Sequence, residues 1–98
     1  MARTPIHPGE ILADELEELD MSALALAKAL HVPHNRISQI LAGKRGITAD
    51  TALRLSRFFG TTPGFWLNLQ KSYELRIAEQ ESGKEIRQTV VPLSVAIE

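Results

Sequence analysis

The chain has 98 residues, a net charge of −1 and no cysteine. That length favours one domain with a single modest core, and the lack of cysteine excludes disulfides and thiolate metal sites. No apolar run reaches the ~18 residues a membrane helix needs, and "MARTPIHPGEIL" has no signal-peptide h-region, so a soluble cytoplasmic protein is expected. The first helix is expected to start near Pro8, a good first-turn residue, with Ile11, Leu12, Leu16 and Leu19 as its apolar stripe. Asp20 and Ser22 are N-cap types before a second helix ending at Leu30. A third begins after Pro33 and ends at Gly43, a good C′ residue. Thr48 caps a fourth, with Asp50 in its first turn, apolar Ala52, Leu53, Leu55, Phe58 and Phe59, and a stop at Gly60. Thr62 and Pro63 start a fifth, which carries Trp66, Leu69, Tyr73 and Ile77 and is predicted to end near Ser82 and Gly83.

The tail differs in kind. Val91, Leu93, Val95 and Ile97 alternate with Pro92, Ser94, Ala96 and Glu98, a period-two pattern that Pro92 limits to an edge strand at most. The expected organisation is a helical domain over 1–83, with its motif at about 22–43, and a tail over 84–98 that serves a dimer or partner contact.

Charge is unevenly spread. Positions 8–20 hold Glu10, Asp14, Glu15, Glu17, Glu18 and Asp20 without a Lys or Arg. Positions 21–60 hold Lys28, Arg36, Lys44, Arg45, Arg54 and Arg57 against Asp50 alone. A local basic face attracts a polyanion whatever the net charge.

The segment "ALAKALHVPHNRISQIL" interrupts a good helix at "HVPHN" and restarts it at once. Two short helices joined this way cross steeply. The crossing needs a small residue, met by Ala27, and a turn residue that tolerates positive φ, met by His31. Val32 plugs the elbow, and Leu26, Leu30, Ile37 and Ile40 supply the inner face. That is the spacing of a helix-turn-helix, although a plain αα-corner meets it too. The outward residues separate the two readings. His34, Asn35, Arg36, Ser38 and Gln39 lie on the outer side and edge of the third helix. Amide side chains bond adenine edges bidentately, and Arg does the same to guanine. Lys44 and Arg45 follow in a glycine-flanked loop suited to phosphates.

With these residues the sequence resembles the HigA antitoxins, XRE-type helix-turn-helix regulators of the lambda-repressor-like fold. The resemblance spans about residues 6–81, and "GKRGITADTALRLSRFFGTTPGFWLNLQ" is its most specific block. It implies an all-α, five-helix domain that dimerises, represses its own operon at a palindromic operator and neutralises a HigB toxin, a RelE-like mRNA endonuclease. It also implies that His34, Asn35, Ser38 and Gln39 face DNA, with Arg36 beside them and Lys44 and Arg45 on the backbone. One departure stands out: the first residue of the second helix, often a phosphate-holding Gln in such regulators, is Ala23 here. Ser22 partly substitutes through its hydroxyl or nearby backbone N–H groups.

Other chemistry is disfavoured. His31 and His34 are too few for a closed metal site. The acids of the first helix lack the apolar surroundings that split catalytic pKa values. No enzyme activity, cofactor, metal or small-molecule substrate is expected. Trp66, Leu69, Tyr73 and Ile77 read as core or dimer interface, and the interface is assigned to this helix and the segment after it. A stand-alone repressor without a toxin, or an interaction module that has lost DNA binding, are the competing readings.

Overall fold

The computed structural model describes residues 4–96, without the side chains of Val95 and Ala96. Among these residues the chain forms α1 (Pro8–Glu18), α2 (Ala23–Leu30), α3 (His34–Leu41), α4 (Ala49–Phe59), α5 (Pro63–Thr89) and α6 (Leu93–Ala96). Among the described residues no helix is long and apolar enough to cross a membrane.

Local chemistry explains most boundaries. Ser22, Thr48 and Thr62 each accept a backbone N–H from the first turn that follows, from Ala25, Thr51 and Phe65. His7 and Glu10 form a reciprocal capping box at the start of α1. His31 and Gly60 end α2 and α4 in left-handed conformation, at φ 59° and 77°. Asp20 also has a positive φ, 52°, so it makes the α1–α2 turn while Ser22 caps.

The core sits where α1, α2, α3, α4 and the first turns of α5 meet. It comprises Leu12, Leu16, Leu26, Ala27, Leu30, Ile37, Ile40, Ile47, Ala52, Leu55 and Trp66, with Val32 packed at its edge. Gly9 lets α1 approach α3: a Cβ there would lie 2.0 Å from the Ile40 carbonyl oxygen. Arg54, on α4, donates to the Leu30 carbonyl at 2.9 Å and so satisfies a carbonyl at the end of α2.

Three expectations are corrected. Leu19 is 54 % exposed, because α1 ends at Glu18 and leaves it on the cap, and Leu53 and Phe58 also face solvent. The fifth helix does not stop near Gly83 but runs 27 residues to Thr89. Glu79 and Arg87 bridge over Gly83, and the helix ends where Pro92 biases its predecessor to extended backbone. The tail forms no strand among the described residues: Val91 is irregular and Leu93 opens the single turn of α6. Alternation alone supplies no partner for a ladder. Ile97 and Glu98, the end of the alternating pattern, lie outside the described residues.

Candidate nucleic-acid interface

The α2–turn–α3 unit is tightly specified. Ala27 is buried at the crossing, and the Val32 amide donates to its carbonyl at 3.0 Å. Ile37 and Ile40 are fully buried, which turns the opposite side of α3 outward. Asn35 and His34 are exposed in its first turn, and Ser38 and Gln39 are half-exposed one turn later. The Ser38 hydroxyl donates to the Asn35 carbonyl at 3.4 Å. Thus His34, Asn35, Ser38 and Gln39 share one accessible face.

Arg36 is placed differently. It leans from the edge of α3 onto α4, where Nη1 lies 2.7 Å from Asp50 Oδ2. Arg54 Nε reaches the same oxygen at 2.9 Å. Hydrogen bonds from Arg54 and then Arg36 hold the Asp50 carboxyl below its ordinary range. One carboxylate thereby joins two cations from successive helices.

The loop after α3 carries Lys44 and Arg45 exposed. Its turn begins at Gly43, φ 74°, and the Lys44 amide donates to the Gln39 carbonyl at 2.9 Å. Two side chains from outside the helix-turn-helix hold the rest. His7 accepts the Gly9 N–H through Nδ1 at 2.9 Å, and its ring lies toward the Arg45 backbone. Its ring meets Tyr73 edge-on, with centroids 4.8 Å apart. Burial, against smaller opposing effects of Glu10 and the Arg45 carbonyl, pushes its pKa down. Gln70, on α5 and 7 % exposed, accepts the Ile47 N–H at 2.8 Å and donates to Glu74 at 2.9 Å. The Gln70 bond, then Lys71, holds the Glu74 carboxyl low.

Ser22 lies exposed at the start of α2, where its hydroxyl accepts from Ala25 at 3.1 Å. The expected interface residues of α5 divide. Trp66 is 1 % exposed and donates to Thr61 at 2.9 Å, so its indole belongs to the domain's own core and is closed to a second chain. Leu69 and Tyr73 are half-buried and line an apolar groove with Ile6 and Ile11, and Ile77 is half-buried further along.

The comparisons with known proteins match this geometry. A family model described as "Helix-turn-helix" matches residues 12–66. The chain is 62 % identical to an addiction module antidote protein of a HigA family from Coxiella burnetii, with a TM-score of 0.91 over 92 % of this chain and 99 % of that one. The chain belongs to the HigA family. The Pseudomonas aeruginosa antitoxin HigA, solved with the higBA promoter, is 49 % identical with a TM-score of 0.89, over 92 % of this chain and 99 % of that one. Virulence-associated protein I of Dichelobacter nodosus is 54 % identical over 90 residues, 91 % of this chain and 82 % of that protein.

For this HigA-family chain, the sequence motifs found the outward face of α3 but missed the residues that brace it. His7, Arg54 and Gln70 join segments 23 or more residues apart or close a buried cap. Only His7 had a usable local signal: a polar residue before Pro8 and three before Glu10 reads as a capping box.

Proposed function

We propose that the protein is a sequence-specific DNA-binding antitoxin. It represses its own toxin–antitoxin operon and neutralises a RelE-like HigB mRNA endonuclease encoded beside it. The accessible face of α3, with Asn35, Ser38 and Gln39 outward over a buried Ile37 and Ile40, carries the reading. Helix three enters a major groove, His34, Asn35, Ser38 and Gln39 meet base edges, and Lys44, Arg45 and Ser22 meet the backbone. Arg36 is assigned to the scaffold, through its bond to Asp50. That the Pseudomonas aeruginosa relative was solved with the higBA promoter supports the DNA-binding reading.

The working form is a homodimer with half-sites about 34–36 Å apart. Its interface is assigned to α5 beyond the core. There the side opposite Trp66 and Gln70 carries Leu75, Ala78, Ser82 and Ile86 at helical spacing, with Leu75 70 % and Ile86 50 % exposed. Small Ala78 and Ser82 between larger apolar residues suit close helix approach. Leu69, Tyr73 and Ile77 lie on the other side of α5, the side of Trp66 and Gln70.

Two measurements test the proposal. Binding to the duplex upstream of its own gene is compared with binding to a scrambled duplex over a salt series, with an expected preference of at least about a thousandfold. Co-expression with an adjacent short RelE-like reading frame is expected to relieve growth arrest. Equal binding to both duplexes would remove the repressor reading. Operator preference without relief of arrest would leave a stand-alone repressor.

A further inference from the structure

We infer that Gln70 and His7 are positioning residues for DNA binding, which clamp the Lys44–Arg45 loop from two helices outside the helix-turn-helix. The inference rests on the proposed contact of that loop with phosphates.

The loop runs from Gly43 to Ile47, with Gln70 against its second half and the His7 ring beside its first. The His7 ring is near Gly43, where an added Cβ would only just reach contact, 4.0 Å from His7 Cγ. The same ring lies toward the Arg45 backbone. Gly46 rides on the Gln70 amide, where a Cβ would come within 2.8 Å of Nε2, and Ile47 donates to Gln70 Oε1 at 2.8 Å. Gly43 and Lys44 are tied to α3 through their amides, to the Ile40 and Gln39 carbonyls. The backbone is therefore fixed while both cationic side chains stay exposed.

Both clamping residues are more than nine-tenths buried. Packing alone does not call for a polar side chain at position 70, since Leu would fill the site and keep the helix. What Leu lacks is an acceptor for the Ile47 N–H. The Gln70 amide is itself oriented by Glu74, which fixes Oε1 toward the loop. A loop held in place before binding loses less freedom on the duplex.

The test measures operator affinity over a salt series for Lys44→Ala, Gln70→Leu, His7→Asn and the exchanged pair Gln70→Glu with Glu74→Gln. Each variant is held below its thermal transition. Lys44→Ala reports whether the loop meets phosphate, through a slope of log K against log[salt] that falls by about one per subunit. Gln70→Leu is expected to lower the slope too, so that the affinity ratio between 50 and 200 mM salt shrinks about threefold for each phosphate the loop no longer reaches. The exchanged pair keeps an acceptor for Ile47 and a donor–acceptor pair with residue 74, and should restore the slope. His7→Asn keeps an N-cap acceptor for Gly9 but is too short to reach the Arg45 backbone, so it should lower the slope while α1 stays folded. If Lys44→Ala lowers the slope and neither Gln70→Leu nor His7→Asn does, the clamp is overturned and the loop's role on phosphate stands. If Lys44→Ala leaves the slope unchanged, that role falls and the clamp with it.

Discussion

Arg36 and Asp50 meet at 2.7 Å across the gap between α3 and α4. That bond makes a cation on the recognition helix part of the frame that sets its angle. Arg54 shares the same carboxylate and also holds the Leu30 carbonyl, so one acid ties together the ends of three helices. Arg36→Ala should weaken operator and random duplexes alike by a small factor and leave the salt slope unchanged. Asp50→Asn should do the same, because it loosens both arginines without removing a cation. A slope that falls in Arg36→Ala as far as in Lys44→Ala would return Arg36 to the DNA.

Gly9 marks where the first helix crosses the third. A methyl group there would lie 2.0 Å from the Ile40 carbonyl oxygen, and that atom is backbone and cannot turn aside. Gly9→Ala should therefore cost about 1–3 kcal/mol or more, despite the gain in helix propensity. Urea unfolding gives the value. A variant as stable as the parent would mean that α1 sits further from α3 than described.

These sites show what a single sequence carries and what it does not. Ser22, Thr48, Thr62, His31 and Gly60 act on neighbours within four residues, so spacing alone disclosed the helix ends. Ile37 and Ile40 disclosed the inner face of α3 and, by exclusion, the outer one. Gln70 sits among polar neighbours in a helix and reads as surface until Ile47 is known to lie beside it. The end of α5 was hidden for a similar reason: Gly83 signals a stop, but Glu79 and Arg87 close over it. The exposure of Leu75 and Ile86 depends on α5 leaving the domain, which helical period does not reveal.

The same extension makes a prediction about assembly. Ile86 is 50 % exposed on a turn of α5 that lies far along the sequence from the core residue Trp66. Ile86→Asp should leave the melting of the domain nearly unchanged and weaken dimerisation by at least about tenfold. Cutting the chain after Gly83 should weaken it further, since that removes Ile86 together with the apolar Val90 and Val91. Sedimentation equilibrium decides the matter. Unaltered dimers in both variants would move the interface to another face.

Stability should depend on pH in two separate limbs. His7 has its pKa lowered from 6.5 by burial, so the folded chain holds it neutral. Above 6.5 both folded and unfolded chains carry a neutral ring and stability is full. As pH falls below 6.5 the unfolded chain takes up a proton that the folded chain resists, and stability declines toward the lower folded value. Asp50 and Glu74 are lowered from 3.8 and 4.5, so their stabilisation is present above those values and is lost as pH falls through the folded ones. His7→Asn should remove the upper limb and keep the acidic one. Urea midpoints followed from neutral pH to pH about 3 would show it. An upper limb that survives in His7→Asn would assign the proton to another group.

Division of labour on the duplex gives the sharpest prediction. Gln39 and Asn35 project from the outer face of α3 and end in amides, which offer one donor and one acceptor to a base edge. Lys44 offers a charge and no fixed geometry, from a loop whose backbone is tied to Gln39 at 2.9 Å. Gln39→Ala should therefore cost about 1–3 kcal/mol on the cognate operator and little on a random duplex. Lys44→Ala should weaken both alike and lower the salt slope by about one per subunit. Because the Lys44 amide donates to the Gln39 carbonyl and not to its side chain, truncating Gln39 leaves the loop in place and the two effects should add. Titrations of both single variants and the double variant on the two duplexes would measure this. If Gln39→Ala weakens both duplexes equally while Lys44→Ala changes base preference, the roles are reversed. If neither variant changes binding, α3 does not lie in the groove and "HVPHN" is a plain corner between two helices.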